Sequence, residues 1–164
     1  MLASRGVVLF AIVAAVAGCA PAPVKAPSGV DSRPAAVLPD SARDAVVYAV
    51  TLVGTPYRYG GTSPGSGFDC SGLVWHVYRQ AAGLALPRTA DEMGRAGRPV
   101  EWDDMRPGDL VFYNTLGREF SHVGIYIGEW RFVHAPSNGG KVEIVSMGNT
   151  YWARRFSGAR RVAS

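Results

Sequence analysis

The chain has 164 residues, of which 48% are hydrophobic and 18% charged, a composition typical of a globular protein rather than a disordered one. Its formal net charge of +4 comes from 17 lysines and arginines against 13 aspartates and glutamates. This mild excess suits work near anionic surfaces, but it is too small and too scattered to indicate a nucleic-acid partner.

Residues 1–18 are typical of a secretion signal, because Arg5 precedes an apolar run that is shorter than the ~20 residues of a membrane-spanning helix. The run ends in Val16-Ala17-Gly18-Cys19, which resembles the lipobox of bacterial lipoproteins. That resemblance implies cleavage before Cys19, acylation of this cysteine and a lipid anchor in a membrane. Ala20 resembles a signal for the periplasmic face of the outer membrane. The alternative is ordinary signal cleavage, with Cys19 incidental.

Cys19 and Cys70 are the two cysteines of the sequence. If Cys19 carries lipid, Cys70 has no partner for a disulfide in an exported chain. A free thiol kept in an oxidising compartment indicates a reactive residue.

Residues 19–40 are predicted to form a linker rich in proline and alanine after the acylated cysteine. In an extended polyproline II conformation this segment would span on the order of 60 Å, enough to carry a tethered domain away from a membrane surface. The folded domain is predicted for residues 41–164.

The first half of this domain is predicted to be helical. Ser41 and Asp44 have the spacing of a capping box, and Gly54 and Pro56 stop the helix that follows. After a glycine-rich loop, a second helix is predicted for residues 69–82 and a short third one for residues 89–94.

The second half changes to the two-residue period of short strands after a turn at residues 106–109. The predicted strands are residues 110–113, 122–127, 131–134 and 142–145. Helices followed by antiparallel strands indicate an α+β domain, with N-terminal helices packed on a central antiparallel β-sheet. The arginines at 154, 155, 160 and 161 are predicted to lie in a solvated tail.

Cys70 is the candidate nucleophile. Asp69 is a good N-cap, so Cys70 would occupy the first turn of the second helix, where free amides and the helix dipole favour a thiolate. The Asp69 carboxylate opposes this ionisation unless backbone amides engage its charge. The amide of Cys70 is also a candidate oxyanion donor.

Two of the three histidines are candidates for the base and its orienting partner. His76 lies roughly 600° around the helix from Cys70, so we expect a surface or packing role for it. His122 and His134 fall on neighbouring predicted strands. If the turn between them is centred at Gly128, they face each other and a ring-to-ring hydrogen bond is within reach.

Each of these residues also has a structural interpretation. A lone buried cysteine is usually a small hydrophobe, and a histidine beside valine on a strand usually has a packing role. Together, the capped cysteine, the exported free thiol and the matched histidines favour a catalytic triad.

With these residues in view, the sequence from about Ser41 to Val162 resembles the NlpC-type, papain-like cysteine peptidases of bacterial cell walls. The segments that carry the resemblance are Tyr57-Arg58-Tyr59-Gly60-Gly61, Asp69-Cys70-Ser71-Gly72-Leu73-Val74, Leu86-Pro87-Arg88-Thr89, Arg106-Pro107-Gly108-Asp109-Leu110, His122-Val123-Gly124-Ile125-Tyr126-Ile127 and Phe132-Val133-His134-Ala135.

The resemblance implies a papain-like fold and a role for each matching residue. Cys70 is implied as nucleophile, His122 as general base and acid, and His134 as the group that orients it. Tyr57 is implied to face the thiol and assist the oxyanion, while Asp69 and Ser71 shape the substrate site. No metal or other cofactor is implied.

The implied function is a thiol endopeptidase that cleaves an amide bond in the stem peptides or cross-links of peptidoglycan. Both the D-glutamyl–diaminopimelate bond and the cross-link to D-alanine remain open as targets, and so does any protein adaptor. The alternatives are an inactive wall-binding lipoprotein, a zinc module built from Cys70, His122 and His134, and an acyltransferase on the same fold.

Overall fold

The computed structural model describes residues 40–137 and 139–163. Cys19, the predicted signal and most of the predicted linker lie outside the described residues. Within the described part, no helix combines the length and the apolar character needed to cross a membrane.

Four α-helices and a short 3-10 helix are described. The α-helices are α1 (Asp40–Thr51), α2 (Cys70–Ala81), α3 (Ala90–Ala96) and α4 (Thr150–Ala153), and the 3-10 helix is Trp102–Asp104. The first three α-helices confirm the prediction within two residues. α1 begins at Asp40, so Ser41 lies inside its first turn and the predicted capping box is wrong there. A capping box does form at the start of α3, between Thr89 and Glu92.

Eight strands of the described residues form one small and one large sheet. They are β1 (Thr62–Ser63), β2 (Gly67–Phe68), β3 (Arg98–Val100), β4 (Leu110–Tyr113), β5 (His122–Gly128), β6 (Arg131–His134), β7 (Glu143–Ser146) and β8 (Phe156–Arg161). β1 and β2 form a separate ribbon, and the other six strands follow the order β3-β8-β4-β5-β6-β7. All pairs in this large sheet are antiparallel. The α+β prediction, with helices on a central antiparallel sheet, is therefore confirmed.

The core lies on both faces of the large sheet. α1 buries Ala42, Ala45 and Ala49, and these small side chains let it pack closely on α2 and β5. The other face of the sheet carries an aromatic cluster that includes Tyr113 and Phe132. Because both faces of the sheet are covered, a functional site is expected at the ends of the strands.

Of the four C-terminal arginines, Arg160 and Arg161 do not lie in a solvated tail, whereas Arg154 is exposed. β8 lies between β3 and β4, where its backbone completes the ladder. Arg161 reaches the buried Asp109 carboxylate with Nε and Nη2, both at 2.7 Å, and Arg160 donates from Nε to the carbonyl of Gly94 at 2.6 Å. Partial burial of these guanidinium groups on paired strands explains the failure of a prediction made from charge alone.

The hairpin between β5 and β6 has a different register from the predicted one. Glu129 and Trp130 form its turn with φ values of 51° and 55°, and the register shifts between Tyr126 and Gly128. Ile125 pairs with Val133, and the same register places His134 opposite Gly124 rather than opposite His122. The prediction of a turn centred at Gly128 is therefore wrong.

Candidate active site

Cys70 is the first residue of α2, as the sequence predicts. Asp69 has an extended backbone and caps the helix by accepting a hydrogen bond from the amide of Gly72 at 2.6 Å. Gly72 is needed for this approach, because a Cβ atom there would lie 2.0 Å from the carbonyl oxygen of Gly61. The loop before α2 and the first turn of the helix are thus packed backbone against backbone, which fixes the place of the thiol.

The Asp69 carboxylate is engaged on both of its oxygens. Arg88 donates from Nη1 to Oδ1 at 3.1 Å and from Nη2 to Oδ2 at 2.8 Å, and the amide of Gly60 donates to Oδ2 at 2.9 Å. Burial acts to raise the pKa of Asp69, but the hydrogen bonds from Arg88 and the backbone amides prevail and lower it. The charge beside the thiol is therefore partly offset, although Asp69 still acts to raise the pKa of Cys70.

Ser71 belongs to the same cluster. Its hydroxyl donates to Oδ1 of Asp69 at 3.2 Å and accepts from Nη1 of Arg88 at 2.9 Å. Arg88 was not singled out as a functional residue from the sequence, because nothing local shows that it reaches a residue nineteen positions away. Two local signals could have found it: its place directly before the Thr89 cap, and the segment Leu86-Pro87-Arg88-Thr89 that carries part of the resemblance.

His122 and His134 form the predicted ring-to-ring hydrogen bond in spite of the changed register. Nε2 of His122 lies 2.9 Å from Nδ1 of His134, and the two rings are nearly perpendicular. The histidines occupy diagonal positions on one face of the hairpin, which long side chains can bridge. Gly124 lies opposite His134, and a Cβ atom there would lie 2.5 Å from the Phe132 ring.

Trp152 covers the histidine pair and was not predicted. Its ring stacks on His122 with a centroid distance of 5.4 Å and meets His134 edge-on at 4.8 Å. Asn149 caps the short α4 by accepting from the amide of Tyr151 at 2.9 Å, which places the tryptophan here. Asn149 is a residue type that commonly caps a helix, so the sequence offers a signal for α4. It offers no signal that Trp152 packs on the two histidines.

A cleft of about 900 Å³ joins these elements. Cys70, His122, Tyr57, Asp69, Ser71 and Arg88 all line it. His134 lies behind His122 and is fully buried. The thiol and the His122 imidazole share the cleft without a direct hydrogen bond in the described part of the chain, and the amide of Val123, next to His122, faces the thiol.

Burial controls the protonation of the candidate catalytic groups. It raises the pKa of the Cys70 thiol, although the amide of Val123 acts in the opposite direction, and it lowers the pKa of His122 to about 4. Neutral thiol and neutral imidazole are therefore favoured in the free cleft. The amides of Cys70 and Ser71 at the helix start act to lower the pKa of the thiol, as expected, but burial outweighs them and the net shift is upward.

Tyr57 keeps its proton in this environment. Burial raises the pKa of its phenol, and the nearby Cys70 and Asp69 raise it further. A protonated phenol at the rim of the cleft can donate a hydrogen bond to an oxyanion, the role that the resemblance implies.

His76 lies away from this cleft, as expected. Its Nε2 shares a hydrogen bond with the hydroxyl of Tyr48 at 3.1 Å, and its ring packs on Phe68. In the described residues, no group of three or more His, Cys, Asp or Glu side chains has a geometry that could hold a metal ion.

Comparison with known proteins identifies the kind of domain that carries this site. The sequence profile of the NlpC/P60 family matches residues 54–161. Murein DD-endopeptidase MepH of Escherichia coli is 46% identical over 113 residues, which are 67% of this chain and 42% of that protein. The gamma-D-glutamyl-L-lysine dipeptidyl-peptidase of Bacillus subtilis is 35% identical over 136 residues, 82% of this chain and 45% of that protein.

A solved structure gives the same result. The crystal structure of an NLP/P60-family protein similar to lipoprotein, from Staphylococcus aureus, superposes with a TM-score of 0.68 at 34% identity, covering 82% of this chain and 45% of that one. The chain spans less than half the length of each of these three proteins. By sequence profile, identity and fold, the chain belongs to the NlpC/P60 family.

Proposed function

We propose that this protein is a cysteine endopeptidase that hydrolyses an amide bond in peptidoglycan. The observation that carries the proposal is the convergence of Cys70, at the start of α2, and His122, bonded to His134, on one cleft. Relatives named murein DD-endopeptidase and gamma-D-glutamyl-L-lysine dipeptidyl-peptidase support peptidoglycan as the substrate.

The first half of the reaction forms a thioester. As substrate enters, Nδ1 of His122 takes the proton of the Cys70 thiol, and the sulfur attacks the carbonyl carbon of the amide. The carbonyl oxygen becomes an oxyanion, for which the Cys70 amide and the Tyr57 hydroxyl are the proposed donors. His122 then gives its proton to the amine nitrogen, the carbon–nitrogen bond breaks, and the amine leaves.

The second half regenerates the enzyme. His122 takes a proton from a water molecule, whose oxygen attacks the thioester carbon. The carbon–sulfur bond breaks, and the thiolate recovers its proton from His122 as the new carboxylic acid leaves. His134 is hydrogen-bonded to Nε2 of His122. This bond keeps Nδ1 of the His122 ring directed toward the cleft throughout the reaction.

The pKa shifts fit this sequence of proton transfers. Burial keeps His122 neutral in the resting cleft, so Nδ1 is free to accept a proton, but the lowered pKa makes the free imidazole a weak base. The ion pair with Cys70 then forms only as substrate charge develops. A resting thiol in place of a resting thiolate also lowers the reactivity of Cys70 toward oxidants.

The charged cluster beside the nucleophile suits a zwitterionic peptide. Arg88 and Asp69 line the cleft as a bonded pair, with Ser71 between them. Stem peptides of peptidoglycan carry both free amines and carboxylates, and this pair presents a partner for each.

The test is mass spectrometry of muropeptides after digestion of purified sacculi. We expect new amino termini at one bond, and their masses will identify that bond as D-glutamyl–diaminopimelate or as the cross-link to D-alanine. Tight binding of sacculi without any new amino terminus would refute the endopeptidase and leave the wall-binding alternative. Transfer of the acyl group to an added amine in preference to water would indicate an acyltransferase.

A lipid anchor is a separate proposal, which rests on the sequence of the first 40 residues. We propose that residues 1–18 are a lipoprotein signal, that Cys19 carries the acyl chains and that residues 19–40 tether the domain to the periplasmic face of an outer membrane. Metabolic labelling with palmitate should mark the native protein and not Cys19→Ala. Equal labelling of both would refute acylation at Cys19.

A further inference from the structure

The outer nitrogen of the histidine pair is buried and faces a carboxylate. β6 and β7 pair so that His134 lies opposite Glu143. Nε2 of His134 is 3.4 Å from Oε1 of Glu143, yet it makes no hydrogen bond within residues 40–137 and 139–163. A buried ring nitrogen without a partner is costly, so this contact calls for a physical account.

The tautomers of the two histidines are linked. For His122 to accept the thiol proton at Nδ1, its own proton must lie on Nε2, where it is donated to Nδ1 of His134. The proton of a neutral His134 then lies on Nε2, which is the nitrogen that faces Glu143. The catalytically competent arrangement therefore needs an acceptor at the position of this carboxylate.

The other groups around the pair do not supply that acceptor. Trp152 contributes a ring face and edge, and its indole has a donor only. Tyr113, on the neighbouring strand β4, lies 6.5 Å from His122 between ring centroids, and its hydroxyl makes no hydrogen bond to His134 or to any other described residue. Glu143 is the titratable side chain that reaches His134 from β7.

We propose that Glu143 is a positioning residue, whose carboxylate accepts the Nε2 proton of His134 and so holds both histidines in the tautomers that leave Nδ1 of His122 free for the Cys70 proton. This inference rests on the proposed function and extends the line of proton-sharing groups by one member. The Glu143 side chain is half exposed, so rotation about its own bonds can close the remaining gap to Nε2.

The expected effect is modest, since water screens a half-exposed carboxylate. Glu143→Ala should lower kcat for muropeptide cleavage by about 3- to 10-fold, the range of one net hydrogen bond, and leave KM within about twofold. Glu143→Gln should lie between this variant and the native protein, because its amide oxygen still accepts the proton but carries no charge. Glu143→Asp should restore less than the native rate, since its side chain is shorter.

The control is Glu101→Gln. Glu101 is an exposed glutamate at the start of the 3-10 helix and makes no capping hydrogen bond with its side chain. It should retain native kcat and KM. Glu143 lies on the edge strand β7 and is exposed, so the isosteric Gln variant keeps the experiment informative should the Ala variant fold poorly.

The deciding measurement is ¹⁵N NMR of the imidazoles in the free, full-length protein, which requires no substrate. In the native protein Nε2 of His134 should be protonated and Nδ1 unprotonated, and Glu143→Ala should populate the other tautomer. The inference would be overturned if His134 of the native protein were protonated on Nδ1. It would also be overturned if Glu143→Ala and Glu101→Gln had the same His134 tautomer and the same kcat. Failure of the native protein to cleave peptidoglycan would refute the proposed function alone, since the NMR result stands apart from it.

Discussion

Arg88 donates hydrogen bonds from both of its terminal nitrogens to the Asp69 carboxylate, at 3.1 and 2.8 Å. Asp69 directly precedes the candidate nucleophile Cys70 in the sequence. The pair places a negative and a positive charge at the mouth of the cleft. Because Asp69 raises the pKa of Cys70, the guanidinium offsets a charge that would otherwise disfavour the thiolate.

Arg88→Ala should therefore slow the chemistry of the thiol. We expect kcat/KM for muropeptides to fall roughly 10- to 100-fold, the range for loss of a hydrogen bond to a charged group. The rate of alkylation of Cys70 by iodoacetamide at pH 7 should fall as well. Arg95→Ala is the matched control, because Arg95 pairs with Asp91 on the exposed surface of α3; equal rates in the two variants would contradict this role.

Trp152→Ala should expose the histidine pair to water. The indole covers both imidazoles, and its loss should cost about 3 kcal/mol of the free energy of unfolding. The pKa of His122 should rise toward its ordinary value as water enters, which NMR titration would detect. Trp152→Phe keeps an aromatic cover and should keep most of the depressed pKa; an unchanged His122 titration in the Ala variant would show that the cover is irrelevant.

The stability of the fold should depend on pH through the histidine pair. Burial holds the pKa of His122 at about 4 and that of His134 at about 3, against an ordinary value of 6.5. Below pH 6.5 the unfolded chain binds protons that the folded chain does not, so the free energy of unfolding falls as the pH falls from 6.5 toward 4. Its slope should approach about 1.4 kcal/mol per pH unit for each histidine.

Urea unfolding at pH values between 4.5 and 7.5 measures this slope. The double variant His122→Asn, His134→Asn should show a flatter profile, whereas His76→Asn should keep most of the native slope, since His76 is less buried than the pair. A double variant with the native slope would mean that other groups carry the pH dependence.

Gly72→Ala should shift the position of the Cys70 thiol, although residue 72 makes no contact with substrate in the proposed reaction. The added Cβ would lie 2.0 Å from the carbonyl oxygen of Gly61 and 3.0 Å from Oδ1 of Asp69, so the first turn of α2 must shift. We expect a loss of roughly 1–3 kcal/mol in the free energy of unfolding and a fall in kcat. Gly65→Ala, at a position with open space, should leave both nearly unchanged, and matching effects in the two variants would argue against a fixed first turn.

The sequence predicts those parts of the site that depend on local patterns. The Asp69 cap and the apolar face of α2 place Cys70 correctly, because capping and helical periodicity act within one or two turns. The partnership of His122 and His134 is likewise confirmed, since both lie on strands of one hairpin.

The parts that the sequence does not predict depend on distant residues. Glu129 and Trp130 adopt positive φ values, which the sequence gives no reason to expect of a glutamate and a tryptophan, and so the hairpin register was missed. The sequence does not predict β8, because Arg160 and Arg161 are charged and indicate an exposed segment. In the structure they donate hydrogen bonds to the Gly94 carbonyl and the Asp109 carboxylate, which lie far from them in the sequence. Arg88 and Trp152 reach the site through tertiary packing alone.

The most direct test compares the native protein with Cys70→Ala on purified sacculi. Both should fold, because replacing the partly buried Cys70 side chain by the methyl group of alanine preserves the first turn of α2. The account predicts release of muropeptide fragments by the native protein and none above background by the variant. Undiminished release by Cys70→Ala would contradict it, because no other group in the cleft is assigned the attack on the amide carbonyl.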